Sequence, residues 1–258
     1  MSNQSEKAAT LRALHVPGDP LVLPNAWDAA SARMVEAAGF PVVATSSVAT
    51  AAILGYKDGE EAPAEEVLAA VERISRSVSL PVTVDFERGY GLPPAQLVER
   101  LAAAGAVGVN LEDSDPASGE LVDAAEQAEF LAAVRSAAVS LGVDLVVNAR
   151  TDSFIRRAGS PEEQLAASID RGTRYREAGA DCVYPIAVAE PDAIRALVDG
   201  IPGPVNIGLG RGNLSQAELA SFGVARVSFG PSLQQHLYKK FASALLPAVA
   251  SGENPFAL

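Results

Sequence analysis

The sequence predicts an α/β protein of the (β/α)8 (TIM) barrel class. Three observations support this: eight short apolar segments alternate with longer helical segments, the apolar segments lack the alternation of a half-exposed sheet, and the chain has 258 residues. Continuous apolar strands are typical of a parallel sheet that helices cover on both faces. Eight βα units in about 250 residues match one barrel. A doubly wound open sheet is the alternative, although it requires no particular count of eight.

The predicted strands are short runs rich in Val, Ile and Leu, and half of them end in a polar residue. They span residues 21–25, 41–47, 81–86, 106–113, 144–150, 181–186, 204–209 and 226–230.

The predicted helices are Ala-, Leu- and Glu-rich segments. One precedes the first strand at 5–14, and the others span 28–38, 63–78, 94–104, 123–140, 161–178, 190–199, 215–222 and 232–250. Ser160 followed by Pro161 is a helix start, and Gly39, Gly105 and Gly179 mark helix ends directly before strands. No low-complexity linker divides the chain, so we expect a single domain over residues 1–258.

Composition narrows the classes of partner and compartment. The net charge of −12 argues against a nucleic acid or an anionic membrane as partner. No apolar run is long enough to span a bilayer, and the polar amino terminus has no apolar signal core. The single cysteine, Cys182, excludes a disulfide framework. We therefore expect a cytoplasmic protein.

Two catalytic chemistries are not supported by the sequence. None of the four lysines lies on a predicted strand, which argues against a Schiff-base lysine. Neither His15 nor His236 ends a strand, which argues against a Ser–His–Asp arrangement.

Polar residues follow several neighbouring strands at their carboxyl ends, where barrels build their active sites. Those that we single out are Ser46, Ser47, Asp85, Glu87, Glu112, Arg150 and Asn206. Carboxylate ligands favour a hard cation, Mg²⁺ or Mn²⁺. The planar fork of Arg150 suits a carboxylate on a small-molecule substrate. Each acid could instead be a helix cap or turn residue, as we expect for Asp113, but their joint occurrence favours a site.

Six segments, in the same order as in a known family, carry a resemblance. They read "VVATSSVATAAILGYKD", "VTVDFERGYG", "GVNLED", "VVNARTD", "GADCVYP" and "PVNIG". The chain resembles the isocitrate lyase/phosphoenolpyruvate mutase superfamily over most of residues 20–235.

The resemblance implies roles for individual residues. Asp85 would bind Mg²⁺ directly, while Asp58, Glu87 and Glu112 would hold metal-bound waters. Ser46 and Ser47 would donate hydrogen bonds to the oxygen of a 2-oxo acid, Arg150 would bind its carboxylate, and Asn206 would line the pocket. The resemblance also implies a homo-oligomer, a dimer of dimers, in which the last helix is exchanged between subunits.

The sequence also departs from the family. The lyases have a Lys-x-Cys-Gly-His stretch after the fourth strand, where this chain reads "EDSDPASGELVD", and the lysine and asparagine of the mutases are missing there as well. Ala44 stands where many relatives have an aromatic residue, and Ile186 where the lyases have glutamate. Trp27, just after the first strand, either restores the missing apolar wall or only covers the next helix.

The leading hypothesis is therefore a Mg²⁺-dependent lyase that cleaves a C–C or P–C bond of a small 2-oxo or 2-hydroxy carboxylate through an enolate, for example an oxaloacetate-like decarboxylase. The alternatives are a phosphonomutase-like isomerase and a catalytically weak carboxylate-binding barrel. The glycine-rich segment "GLGRGN" (208–213) is either a phosphate-binding loop or a turn.

Overall fold

The computed structural model describes residues 2–157, 159–210 and 214–257. Within these ranges all strand pairings are parallel. The strands are β1 Leu21–Leu23, β2 Asn25–Ala26, β3 Val43–Thr45, β4 Val82–Asp85, β5 Gly108–Glu112, β6 Val146–Thr151, β7 Cys182–Pro185, β8 Asn206–Gly208 and β9 Arg226–Ser228.

The strands follow one another in the ring order of an eight-stranded barrel. Hydrogen bonds connect β2-β3-β4-β5-β6-β7 in one sheet and β1-β9-β8 in another. Only Pro24 separates β1 from β2, and a parallel bridge from Val183 to Val205 connects β7 with β8. The Asn25 side chain connects the end of β3 with the residue after β9. Its amide nitrogen donates to the Thr45 carbonyl, and its amide oxygen accepts from the Phe229 N–H. The predicted fold class is confirmed.

Helices connect the strands and cover the sheet. They are α1 Ser2–Ala13, α2 Ala29–Ala37, α3 Ser47–Leu54, α4 Ala64–Ser75, α5 Pro94–Ala103, α6 Ala124–Ser140, α7 Ser153–Arg156, α8 Pro161–Glu177, α9 Pro191–Gly200, α10 Gln216–Ser221, α11 Ser232–Lys240 and α12 Leu246–Ser251. In α4 the apolar side chains of Val67, Val71 and Ile74 recur at helical spacing and are buried.

Helix α1 lies at the amino ends of the strands. Its Leu11 is fully buried in a cluster with Leu21, Leu23 and Val42. Gly108 of β5 allows this close approach, since a Cβ there would lie 2.6 Å from the Leu11 side chain. The amino-terminal helix therefore closes the end of the barrel opposite to the strand ends that carry the acids.

The carboxyl-terminal segment is not the single α-helix over 232–250 that the sequence predicted. It divides into α11, a π-helical turn at Phe241–Leu245, and α12. Pro247 has no N–H to continue the α-helical pattern, and the preceding Leu246 N–H bonds to the Phe241 carbonyl five residues back. Gln234 joins this segment to α3 through a 2.9 Å hydrogen bond to the Ala49 carbonyl.

The apolar stripe of this segment faces outwards. Leu233, Leu237 and Phe241 are between 39% and 53% exposed, and Leu245 is half-buried. Three of the four stripe residues therefore do not pack fully on their own barrel. Across the described ranges, none of the helices has the length and apolar character needed to cross a membrane.

Candidate active site

The carboxyl ends of the strands form the mouth of the barrel. In such barrels, alternate strands contribute inward side chains in layers of four. By strand register, the upper layer comprises Asn25, Asp85, Arg150 and Gly208, and the second layer comprises Ala44, Asn110, Tyr184 and Ser228. Charged and polar side chains therefore occupy the mouth, although the strands themselves are mostly apolar.

Asp85 ends β4 and faces the start of α3. Its carboxylate accepts a 3.0 Å hydrogen bond from the Ser47 N–H, and its own N–H donates to the Thr45 hydroxyl at 3.0 Å. Ser47 is the first residue of α3, so the positive end of the helix dipole favours negative charge here. The Ser47 N–H is thus directed at Asp85 rather than into the open mouth.

Two loops beside Asp85 hold each other through a reciprocal pair of glutamates. The Glu87 carboxylate accepts from the N–H groups of Gly59 and Glu60, at 2.7 and 2.6 Å. The Glu60 carboxylate accepts in turn from the N–H groups of Arg88 and Tyr90, at 3.1 and 2.7 Å. We call these four bonds the glutamate clasp.

The backbone of the clasp is strained, because Glu60, Glu87 and Tyr90 all have φ between 48° and 60°, a region that non-glycine residues rarely adopt. Asp58 directly precedes the clasped amides. Burial raises the pKa of the Asp58 carboxyl, and the neighbouring Asp85 charge raises it further. The clasp therefore sets the position of Asp58 next to Asp85 and Glu87.

Arg150 on β6 lies between the carboxylate of Glu112 on β5 and that of Asp152, just past the end of β6. Its Nε and Nη2 donate to the two oxygens of Asp152, at 2.6 and 2.9 Å, and its Nη1 contacts Glu112 at 2.5 Å. An arginine has five N–H donors. One N–H on each terminal nitrogen remains beyond these three bonds. The sequence prediction gave Asp152 no role, and the structure places it just past β6, directly before α7.

Asp113 lies in the loop directly after β5, where we expected a cap or loop residue, and it is also a buried hub. It is fully buried and accepts from the Asp152 N–H at 2.8 Å, the Tyr175 hydroxyl at 2.7 Å and Arg171 at 3.1 Å. Ser114 donates to the Asp152 carboxylate at 2.7 Å. This network fixes Asp152 and, through it, the plane of the Arg150 guanidinium.

Asn206 lies below the mouth. It is fully buried, its carbonyl oxygen accepts from Asn148 at 3.0 Å, and its amide nitrogen donates to Ser228 at 3.2 Å. Arg226, 1% exposed, donates to Asn110 in the same group of side chains. Asn206 is therefore placed in the floor beneath the site, with both of its polar atoms already engaged.

The remaining predicted residues lie around the rim. Ser46 is buried and caps α3, with its hydroxyl 3.5 Å from the Ala49 N–H. Trp27 follows β2, is half-buried, and donates its backbone N–H to Ser31 in the first turn of α2. Of the segment 208–213, residues 211–213 lie outside the described residues, so the choice between phosphate loop and turn stays open.

The acidic side chains at the mouth are not fully compensated by nearby positive charge. Burial raises the pKa of Glu87 to about 7, with the charges of Asp58 and Asp85 adding to the shift. Burial likewise raises the pKa of Glu112 well above its usual range, against the lowering influence of Arg150. A cation at this place would favour the charged carboxylates and so oppose the rise of both pKa values.

The donor set fits a hard divalent ion, because the neighbouring side chains offer oxygen atoms only. In the described ranges, however, no three His, Cys, Asp or Glu side chains are grouped closely enough to hold one ion together. Mg²⁺ usually keeps several waters and takes only one or two carboxylates directly. The arrangement thus fits one direct carboxylate ligand, with the other acids acting through water.

The fold and site define a (β/α)8 barrel with an acidic mouth and a buried arginine beside it. Comparisons with known proteins agree with this class: the sequence model of the phosphoenolpyruvate phosphomutase family matches residues 11–247. The chain therefore belongs to the isocitrate lyase/phosphoenolpyruvate mutase superfamily, as the sequence segments predicted.

Individual relatives are lyases and mutases. A crystal structure of a candidate phosphonomutase from Burkholderia cenocepacia is 45% identical, covers 92% of this chain and 98% of its own, and has a TM-score of 0.87. A 2-methylisocitrate lyase from Bacillus subtilis is 32% identical over 79% of this chain and 67% of its own length. An oxaloacetate decarboxylase from Rhodopseudomonas palustris is 32% identical over 79% of this chain and 71% of its own. The relatives support an enzyme of the lyase or mutase kind.

Proposed function

We propose that this protein is a Mg²⁺- or Mn²⁺-dependent lyase that cleaves a C–C or P–C bond of a small 2-oxo or 2-hydroxy carboxylate through an enolate, as in an oxaloacetate-like decarboxylase. The observation that carries the proposal is the pairing, at one barrel mouth, of an acidic cluster with an arginine that keeps two N–H groups for a ligand.

Four acids are proposed to hold the ion. Asp85 is its direct ligand, because it ends β4 at the mouth and a hydrogen bond from the Ser47 N–H holds its carboxylate in place. Asp58, Glu87 and Glu112 bind water on the ion. Support for this division comes from the glutamate clasp and the Arg150 ion pair, which already use part of the Glu87 and Glu112 carboxylates.

The substrate is proposed to bind by its carboxylate to Arg150, through the free N–H on each terminal nitrogen. Ser46 and Ser47 line the side where α3 begins, and the helix dipole there favours a developing oxyanion. Trp27 forms an apolar wall where Ala44 provides none. Asn206 acts from the floor, by fixing Asn148 and Ser228.

A bound divalent ion would supply Lewis-acid stabilisation of negative charge on the substrate oxygen. The protein groups do the remaining work. Arg150 orients the substrate so that the bond to be cleaved stands perpendicular to the carbonyl plane, and the polar contacts around Asp152 keep the guanidinium fixed while charge develops. Decarboxylation needs the fewest further side chains, which suits a loop without the lysine, cysteine or histidine of the lyases.

A phosphonomutase-like isomerase is the second candidate. It is favoured by the 45% identity to the candidate phosphonomutase from Burkholderia cenocepacia. A catalytically weak carboxylate-binding barrel is the third candidate, because the residues that set the reaction in the relatives are missing.

One screen separates the three. Purified protein is incubated with small 2-oxo acids and with phosphonopyruvate, with Mg²⁺ and with chelator, and products are followed by carbon and phosphorus NMR. The lyase predicts Mg²⁺-dependent loss of CO2 or cleavage of a C–C or P–C bond. Conversion of phosphonopyruvate to a phosphate ester would support the isomerase, and binding without turnover would support the third candidate.

We also propose that the chain forms a homo-oligomer, a dimer of dimers, in the cytoplasm. The exposed apolar residues of the carboxyl-terminal segment support association, since Leu237, Phe241 and Val249 are at least 50% exposed within one segment. Exchange of this segment between neighbouring subunits would bury that surface.

A further inference from the structure

Tyr184 occupies a gap in the ring of side chains at the mouth. It lies in the second layer on β7, directly beside Arg150 in strand register. The upper layer has no side chain above β8, because Gly208 stands there. A Cβ at position 208 would lie 2.7 Å from the Tyr184 hydroxyl. The phenol therefore extends towards the mouth through space that only glycine leaves open.

The surroundings of the hydroxyl connect it with the substrate-binding groups. Tyr184 is 7% exposed, and the charges of Arg150 and Asp85 act on its hydroxyl, as do Ser228 and Arg226. Burial raises the pKa of Tyr184, so the phenol keeps its proton at neutral pH. Gly208 has no left-handed backbone angle, so its presence here is explained by space rather than by a turn.

We propose that Tyr184 is the proton donor of the reaction, delivering its hydroxyl proton to the carbon from which the leaving group departs. This inference rests on the proposed lyase function. For oxaloacetate, the C3–C4 bond breaks, CO2 leaves, and the electron pair becomes the C2–C3 double bond of an enolate. That pair then takes the proton from Tyr184, the C2 carbonyl re-forms, and the phenolate regains a proton from water.

Two carboxyls with raised pKa are the competing donors. Glu87 is engaged by two backbone N–H groups and by the Tyr90 hydroxyl, which hold its carboxylate in the clasp. Glu112 forms an ion pair with Arg150, which opposes the rise of its pKa by burial and commits its carboxylate to the guanidinium. Tyr184 differs from both in position, because its hydroxyl extends into the space that Gly208 leaves in the upper layer beside Arg150.

The test uses the stereochemistry of protonation, with 3-methyloxaloacetate as probe in D2O with Mg²⁺. Protonation by the protein gives 2-oxobutanoate with one configuration at the deuterated carbon, whereas protonation in water gives a racemate. We expect one configuration from the wild type, a racemate from Tyr184→Phe, and an intermediate result from Gly208→Ala, whose methyl group displaces the hydroxyl. The rate of Tyr184→Phe should fall about 100-fold, within the range of general acids. Tyr238→Phe, on exposed α11, is the control.

Thermal unfolding and oxalate binding verify that each variant is folded and retains the carboxylate site. A single configuration from Tyr184→Phe overturns the inference, whatever its rate, and so does loss of configuration in Glu112→Gln but not in Tyr184→Phe. A racemate from the wild type also overturns it, because the enolate would then leave the site before protonation. Absence of any wild-type turnover overturns the proposed function and this inference together.

Discussion

The glutamate clasp should contribute measurably to the stability of the fold. Glu60→Ala removes two hydrogen bonds, from the N–H groups of Arg88 and Tyr90 to one carboxylate oxygen. Bonds to charged groups contribute about 1.5–3 kcal/mol each, and the half-buried position of Glu60 favours the lower end. We therefore expect Glu60→Ala to lower the free energy of unfolding by about 3 kcal/mol.

Glu60→Gln is the matched variant. Both bonds go to the same oxygen, Oε1, and an amide oxygen can accept both. Neutral hydrogen bonds are roughly half as strong as charge-assisted ones, so a loss of about 1.5 kcal/mol is expected. Urea unfolding followed by circular dichroism measures both variants. Stability of Glu60→Ala within about 0.5 kcal/mol of wild type would refute the clasp, as would an equal loss in the two variants.

Three further predictions concern other parts of the molecule. Asp113→Ala should destabilise the fold by about 3–5 kcal/mol in urea unfolding, because it leaves Arg171 without its buried partner, whereas Asp199→Ala on the surface should have no effect. His15 should make the fold less stable in acid: burial, then the neighbouring Arg226, lower its pKa to about 4. Only the unfolded chain takes up this proton between about pH 6.5 and pH 4, so wild type should lose about 3 kcal/mol over that window relative to His15→Gln. Light scattering should give an oligomer for wild type and a smaller species for Leu237→Lys.

Each of these has an outcome that contradicts it. Equal stabilities for the Asp113 and Asp199 variants would mean that the buried hub is not structural. Parallel pH profiles for wild type and His15→Gln would mean that His15 takes up its proton over the same pH range in the folded protein as in the unfolded chain. A monomeric wild type would remove the argument for an interface on the carboxyl-terminal segment.

The sequence predicted the ring of strands because each strand is a short apolar run followed by a helical segment. It did not predict α3. The segment "SSVATAAILG" contains the β-branched residues Val48, Thr50 and Ile53, which resemble a strand continuation, although Ser46 is a helix cap. The sequence prediction extended one helix across Pro247, because apolar residues continue at helical spacing on both sides of it, although proline is a signal for a helix break.

The acids and Arg150 could be predicted as a group, whereas their internal arrangement could not. The glutamate clasp needs left-handed backbone at Glu60, Glu87 and Tyr90, which no local propensity favours. The pairing of Arg150 with Asp152 could not be inferred from strand periodicity, because Asp152 lies past the end of β6. The burial of Asp113 depends on Tyr175 and Arg171 from a distant helix, and a single sequence contains no signal for that contact.

The central claim is that the barrel mouth holds a divalent cation through Asp85. Isothermal titration of Mn²⁺ into wild type, Asp85→Asn and the surface control Asp199→Asn tests it directly. We expect wild type and Asp199→Asn each to bind one ion per chain. We expect Asp85→Asn to lose that binding while circular dichroism shows an intact fold. Equal binding by wild type and Asp85→Asn, or no binding by wild type, would contradict it.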